Sequence, residues 1–201
     1  MARYDPHDKF YRKARAAGLP SRAAFKLEEL LARFKLVRAG ACVIDLGCAP
    51  GGWLAILARA VGSNGRVVGI DLAECRAIAP NVMTIAGDIR DAAMRIEVAA
   101  RLGGGADLIT SDLSPKLSGI ADRDQARSAE LLTIALEFAR DGGLKPQGAM
   151  VAKLFMGGEF VELKRAFERI FDKVEIAHTK ASRPGSSELY LVARGMRAIE
   201  G

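Results

Sequence analysis

A chain of 201 residues is long enough for one sizeable α/β core and too short for two. Half of its residues are hydrophobic and 27% are charged, which excludes a disordered chain. The formal net charge of +6 is unevenly spread: residues 1–40 carry ten Lys/Arg against four Asp/Glu, whereas residues 41–179 carry sixteen against eighteen. A clustered basic footprint favours a polyanionic partner, RNA or DNA ahead of a membrane surface, although a solvated helix face accounts equally well for the charge alone.

The first 40 residues are basic and helix-prone, and end in the apolar-periodic stretch FKLEELLARFKL (25–36). They read as an extension docked on the main domain, which begins at 41 and runs to 201. The start, MARYDPHDKFYRKARAAG, has no apolar signal core, and no stretch is long enough to cross a bilayer, so a cytoplasmic protein is expected. Three cysteines without Cys-x-x-Cys spacing, and only two histidines, argue against a structural zinc site, and no metal is expected.

From 41 onward, strand-length apolar runs alternate with helical patterns. The strand candidates are CVIDL (42–46), RVVGIDL (66–72), NVMTIAG (81–87), ADLITSDL (106–113), GAMVAKLF (148–155), DKVEIAH (172–178) and SELYLVAR (187–194). Helices are predicted over 53–61, 92–102, 127–140 and 159–171; in the third, Leu131, Ile134, Ala135 and Phe138 follow the spacing of one apolar face. Alternation of this kind predicts a doubly wound, mostly parallel sheet. The connection TKASRPGS (179–186) has no room for a crossover helix, so the last two strands should pair antiparallel and complete a seven-stranded mixed sheet.

Ligands of such sheets bind at the carboxyl ends of the strands. Five consecutive strand candidates place an ionisable residue there: Asp45, Asp71, Asp88, Asp112 and Lys153. The first is followed by DLGCAPGGW (45–53), in which Gly47, Gly51 and Gly52 permit close backbone approach to a ligand. The spacing G-x-x-x-G-G matches neither the dinucleotide fingerprint nor a phosphate-binding loop, which argues against NAD and ATP hydrolysis. Asp71, about twenty residues on, can accept hydrogen bonds from a ribose diol. A nucleoside ligand without a pyrophosphate fits both features.

DLGCAPGGW, followed by VVGIDL, GDIRD, SDLSPKLSG, VAKLF and SSELYLVA, and preceded by SRAAFKL (21–27), resembles the FtsJ/RrmJ family of S-adenosylmethionine-dependent RNA ribose 2′-O-methyltransferases. The resemblance spans roughly residues 3–194, with the motifs in the family's order. It implies a Rossmann-like methyltransferase fold, S-adenosylmethionine as methyl donor, and cofactor contacts at Gly51, Trp53, Asp71, Asp88 and Asp112, to which the backbone argument adds Gly47 and Gly52. It also implies a catalytic set of Lys26, Asp112, Lys153 and Glu188, every position keeping the expected residue type. Lys153 is the expected base for the ribose hydroxyl. Lys26 would position the substrate and, as a second ammonium, help to free Lys153 for that task, with Asp112 and Glu188 balancing charge.

Without an appended module, the chain is most similar to bacterial-type enzymes that methylate a uridine of large-subunit ribosomal RNA. A transfer RNA substrate, or a non-catalytic RNA-binding or ribosome-assembly role on the same fold, are the alternatives. RNA contacts are expected from Arg3, Lys9, Arg12, Lys13, Arg15 and Arg22, with Lys116, Arg183 and Arg197 extending that surface. Lys116 stands where the family pattern usually has Asn.

Overall fold

The computed structural model describes residues 23–115, 118–182 and 187–198, together with 12, 16, 18 and 19. In chain order the elements are α1 (Ala23–Phe34), β1 (Cys42–Leu46), α2 (Gly52–Val61), β2 (Arg66–Asp71), β3 (Val82–Ala86), α3 (Ala92–Leu102), β4 (Ala106–Ser111), α4 (Ala121–Phe138), β5 (Leu144–Phe155), α5 (Phe160–Ile170), β6 (Phe171–Ala177) and β7 (Glu188–Met196). The strands form one sheet in the order β3-β2-β1-β4-β5-β7-β6. Strands β1 to β5 pair in parallel, and β7 enters antiparallel between β5 and β6. The expected pairing of the last two strands holds, and β7 has a second partner in β5.

The central strands are apolar almost throughout because both faces of the sheet are covered. Successive side chains of a strand point to opposite faces, so Val43 and Ile44 of β1 enter different cores. Ile44, Leu46 and Ile109 pack beneath α3, α4 and α5 with Val98, Leu132, Phe138 and Phe167. On the other face Val43, Val67 and Leu108 meet α1 and α2 through Leu27, Leu30, Leu54 and Leu57. Helix α1 buries Ala24, Leu27, Leu31 and Phe34, a three-and-four repeat forming one apolar stripe. Its polar face carries Lys26 toward the sheet edge where the acids gather. Helix α3 starts where the Asp91 side chain accepts a hydrogen bond from Ala93 N and ends at Gly103, whose φ is +74°.

Several boundaries differ from expectation, among them β4, which ends at Ser111 rather than 113, and three others. Helix α4 begins at Ala121 rather than near 127, with Asp122 and Asp124 in its first turn. There the acids favour the positive end of the helix dipole, a signal that outweighs the polar character of that stretch. Strand β5 begins at Leu144, inside a segment whose glycines and proline suggest a turn, and pairing with β4 shifts between Ala106 and Leu108. Leu144 is buried opposite Ala106, so packing of one side chain holds the extended backbone ahead of an irregular Pro146–Gln147 step. Strand β7 continues past the expected end to Met196, which is buried.

No helix among the described residues is long and apolar enough to cross a membrane. Leu27 is fully buried between α1 and the sheet and anchors the helix that bears Lys26. Leu27→Ala should cost about 3 kcal/mol of stability, read from the urea denaturation midpoint. Loss of that anchor should also loosen Lys26 in its ion pair.

Candidate active site

Asp71, Asp88 and Asp112, from the ends of three different strands, line one open cavity of about 460 Å³ together with Gly47. Leu72, Ile89, Leu113 and the α4 residues Leu131 and Ile134 supply apolar walls. Gly47 has a φ of +79°, and a Cβ there would stand 2.9 Å from Leu113 N and 3.1 Å from Asp112 C. Glycine is therefore required for the loop after β1 to pass the loop after β4. Gly47 N donates to Ile70 O at 2.8 Å and Asp112 N to Leu46 O at 2.9 Å, so both loops leave the sheet in fixed directions. The Asp71 carboxylate accepts from Ala49 N at 3.0 Å and Ala73 N at 2.9 Å, which orients it while leaving acceptor capacity on both oxygens.

Asp45 lies beneath this cavity with no exposed surface. One oxygen accepts from Thr110 Oγ1 at 2.7 Å; the other, Oδ2, is buried with no hydrogen-bond partner among the described residues. Burial pushes its pKa up to about 8, the Thr110 bond pulls the other way, and Asp112 and Asp71 push it further up. Burial likewise raises the Cys48 thiol, a core residue beside it.

The second cluster consists of two lysine–carboxylate pairs. Lys153 Nζ sits 2.6 Å from Asp112 Oδ1 and donates to Asp112 O at 3.1 Å, with only 9% of its side chain exposed. Lys26 Nζ donates to both Glu188 oxygens, at 2.5 and 2.8 Å. Burial pushes the Asp112 carboxyl above its ordinary range, against the opposing pull of Lys153 and Lys26. Burial acts on Glu188 in the same sense, but the Lys26 charge and hydrogen bonds from Lys26, Ser182 and Tyr190 hold it below the usual carboxylate range. The register explains the meeting: Lys153 stands opposite Tyr190 and Phe155 opposite Glu188, so all four share one face of the sheet, the face that α1 covers. Lys26 thus faces a carboxylate of its own rather than standing as an unbalanced ammonium beside Lys153.

The remaining residues singled out in the sequence fall elsewhere. Trp53 is 3% exposed, lines no part of the cavity, donates from Nε1 to Ala23 O at 2.9 Å, and packs on Tyr190 at 6.1 Å between ring centroids. Its place is the joint between α1 and α2. Gly51, with a φ of +100°, and Gly52 shape the turn into α2 behind the cavity wall. Asp88 lines the cavity, but both its oxygens are held by Arg90, whose hydrogen bonds keep its pKa below the ordinary value. Arg12 is exposed; Arg3, Lys9, Lys13, Arg15, Arg22, Lys116 and Arg183 lie outside the described residues. Arg197 pairs with Asp172 and donates to Arg169 O, which caps α5.

Residues that strand-end reasoning passed over are Thr110, Ser182 and Tyr190, which fix the carboxylates, and Arg127 and Glu130 on the cavity wall. Only Tyr190 carried a signal, as a hydroxyl inside an otherwise apolar strand.

A Rossmann-like sheet of this order, with a glycine loop and acids at the strand ends, defines the class as methyltransferase fold, and known proteins agree. The FtsJ-like methyltransferase family matches residues 19–196. The chain is 44% identical over 195 residues to ribosomal RNA large subunit methyltransferase E of Anaeromyxobacter sp. (strain Fw109-5), covering 96% of this chain and 70% of that one. It is 41% identical to the protein of the same name from Myxococcus xanthus, covering 98% and 92%. A solved Plasmodium falciparum structure, named for a ribosomal RNA methyltransferase, superposes with a TM-score of 0.78 at 27% identity, covering 88% of this chain and 97% of that one. The chain belongs to the FtsJ-like methyltransferase family.

The buried Asp45 gives a pH signature. Its folded pKa of about 8 exceeds the ordinary 3.8, so between these values the folded state binds more protons than the unfolded state. Its contribution to stability should therefore fall as pH rises from about 4 to about 8 and level off above. Asp45→Asn should remove that slope, seen as a difference between the two proteins' urea midpoints that changes across pH 4–8 and stays constant beyond.

Proposed function

We propose that the chain transfers a methyl group from S-adenosylmethionine to the ribose 2′-hydroxyl of a uridine in large-subunit (23S-type) ribosomal RNA, in the cytoplasm. The observation that carries this reading is the shared carboxylate: Asp112 lines the nucleoside-sized cavity and also holds Lys153. One residue thereby joins the place of the methyl donor to the place of a base. The relatives' names support the RNA substrate.

The residues present fit the donor. Gly47 lets the loops after β1 and β4 close together at the cavity wall, Asp71 offers a pre-oriented acceptor for a ribose diol, and the apolar walls suit a purine ring. Gly47, Asp71, Asp88 and Asp112 would hold it; Gly51, Gly52 and Trp53 act through the loop and helix they position. When bound, the donor supplies an electrophilic methyl group on its sulfonium sulfur.

Lys153 first gives a proton from its ammonium to solvent; its amine then takes the proton of the 2′-hydroxyl as that oxygen attacks, and Asp112 stabilises the ammonium that re-forms. The Lys26–Glu188 pair borders the same face, where Lys26 positions the ribose or its phosphate; Ser182 and Tyr190 hold Glu188 so that Lys26 stays in place. Arg12 and the other basic residues ahead of α1 bind the RNA backbone. Alignment of the two reactants supplies much of the remaining acceleration.

Incubation with labelled S-adenosylmethionine and large ribosomal subunits, followed by mapping of the modified nucleotide, should place the label on a ribose 2′-oxygen of a uridine. Lys153→Ala should lower single-turnover transfer by at least about 10²-fold, the span of a lost general base, with calorimetric affinity for the donor nearly unchanged. Label in transfer RNA alone would move the substrate, and full activity of Lys153→Ala would remove the base from Lys153.

A further inference from the structure

A second concavity, of about 390 Å³, lies at the opposite end of the strands from the active site. Its wall includes Lys35, Arg38, Lys145 and Arg194, with Asp107 as its one carboxylate. These residues come from the turn after α1, the starts of β4 and β5, and the far part of β7. Asp107 accepts from Lys145 Nζ at 3.2 Å and from Cys42 N at 2.8 Å, and Arg194 is held by Glu175. Lys35 and Arg38 are exposed and make no ion pair among the described residues. Cations therefore outnumber the carboxylates that could balance them.

The backbone converges on the same place. Lys35, with a φ of 52°, and Gln147, with 63°, are the non-glycine residues of left-handed conformation among the described residues, and both line this cavity. Outside glycine such backbone is uncommon. Here it turns the chain after α1 and the irregular start of β5 toward each other.

We infer that this cavity is a docking site for a phosphate of the RNA backbone, distant from the nucleotide that is modified. The inference rests on the proposed RNA substrate. The two ends of the sheet differ in sign: at the active-site mouth Asp71, Asp88, Asp112 and Glu130 outnumber Arg90 and Arg127, whereas at the far concavity Lys35, Arg38, Lys145 and Arg194 outnumber Asp107. A polyanion is repelled by the first and drawn to the second, so holding an RNA strand at an acidic mouth needs cations elsewhere on the enzyme. Arg38 offers a planar fork and the two lysines point charges, the chemistry that suits phosphate oxygens. Five residue steps along and just past β4 separate Asp107 from Asp112, about 17 Å at the rise of a strand, so the RNA held here is a different stretch from the one being methylated.

The test uses the full-length protein and protein-free large-subunit rRNA, with binding measured at several salt concentrations. Arg38→Gln combined with Lys145→Gln, and separately Lys35→Glu, which leaves the Asp107 pair intact, should weaken binding. At 0.1 M salt the loss should be roughly five- to eightfold for each phosphate contact removed, with a salt slope shallower by about 0.7–0.9 per contact. Donor affinity and turnover at saturating RNA should stay as in the parent, while KM for RNA rises. Unchanged affinity and slope in both variants would overturn the site. Weaker binding to intact subunits but not to protein-free rRNA would assign the cavity to a ribosomal protein and overturn it as well. If the parent protein shows this cation-dependent binding yet methylates no RNA, the docking site stands and the proposed reaction fails.

Discussion

The contact between Lys153 and Asp112 is the constraint around which the site is arranged. An ammonium with 9% of its side chain exposed is stable only beside a carboxylate, and removal of either member would leave a largely desolvated charge. Meeting at 2.6 Å requires β4 and β5 to be neighbours in parallel, with Ser111 beside Ala152, so that Asp112, just past the end of β4, comes beside Lys153, still within β5. The hydrogen bond from Asp112 N to Leu46 O then ties that corner to β1 and its glycine loop. The proposed donor site and the proposed base are thus parts of one corner of the sheet.

The same corner concentrates negative charge. Asp45, Asp71 and Asp112 are close enough that each of the outer two raises the proton affinity of the buried one. On the proposed reaction, a cationic methyl donor would meet these acids more favourably than its neutral product. Lys26 and Glu188 stand behind, paired with each other, and the hydroxyls of Ser182 and Tyr190 also donate to the carboxylate. Trp53 serves this pair from a distance, since its bond to Ala23 O fastens the first turn of the helix that carries Lys26.

Much of this was legible in the residues. Near-continuous apolar runs located the central strands, because a sheet covered on both faces leaves few polar positions to blur the pattern, whereas the edge strand β6 mixes apolar with charged residues. Asp71, Asp88 and Asp112 could be grouped before any coordinates, since a parallel sheet puts all its strand ends on one edge. Three things could not be read. Period alone does not separate a core position from a cavity wall, so Leu131 and Ile134 resembled Ala135 and Phe138 although only the latter two are buried. Acids at strand ends look alike in sequence, yet Asp45 is fully enclosed while Asp71 faces the cavity. The meeting of Lys26 with Glu188 on the face that also bears Lys153 depends on β7 lying between β5 and β6, and the turn signals of 179–186 specify only the partner that precedes it.

The central claim is that Lys153 moves a proton rather than merely presenting charge. Lys153→Arg separates the two roles, because a guanidinium can keep the ion pair with Asp112 but stays charged and cannot serve as a base. With donor and RNA affinities first shown to match the parent, single-turnover methyl transfer by this variant is the direct measurement. Transfer reduced to the level of Lys153→Ala is the result predicted; transfer within a few-fold of the parent would contradict the assignment and leave Lys153 an electrostatic anchor.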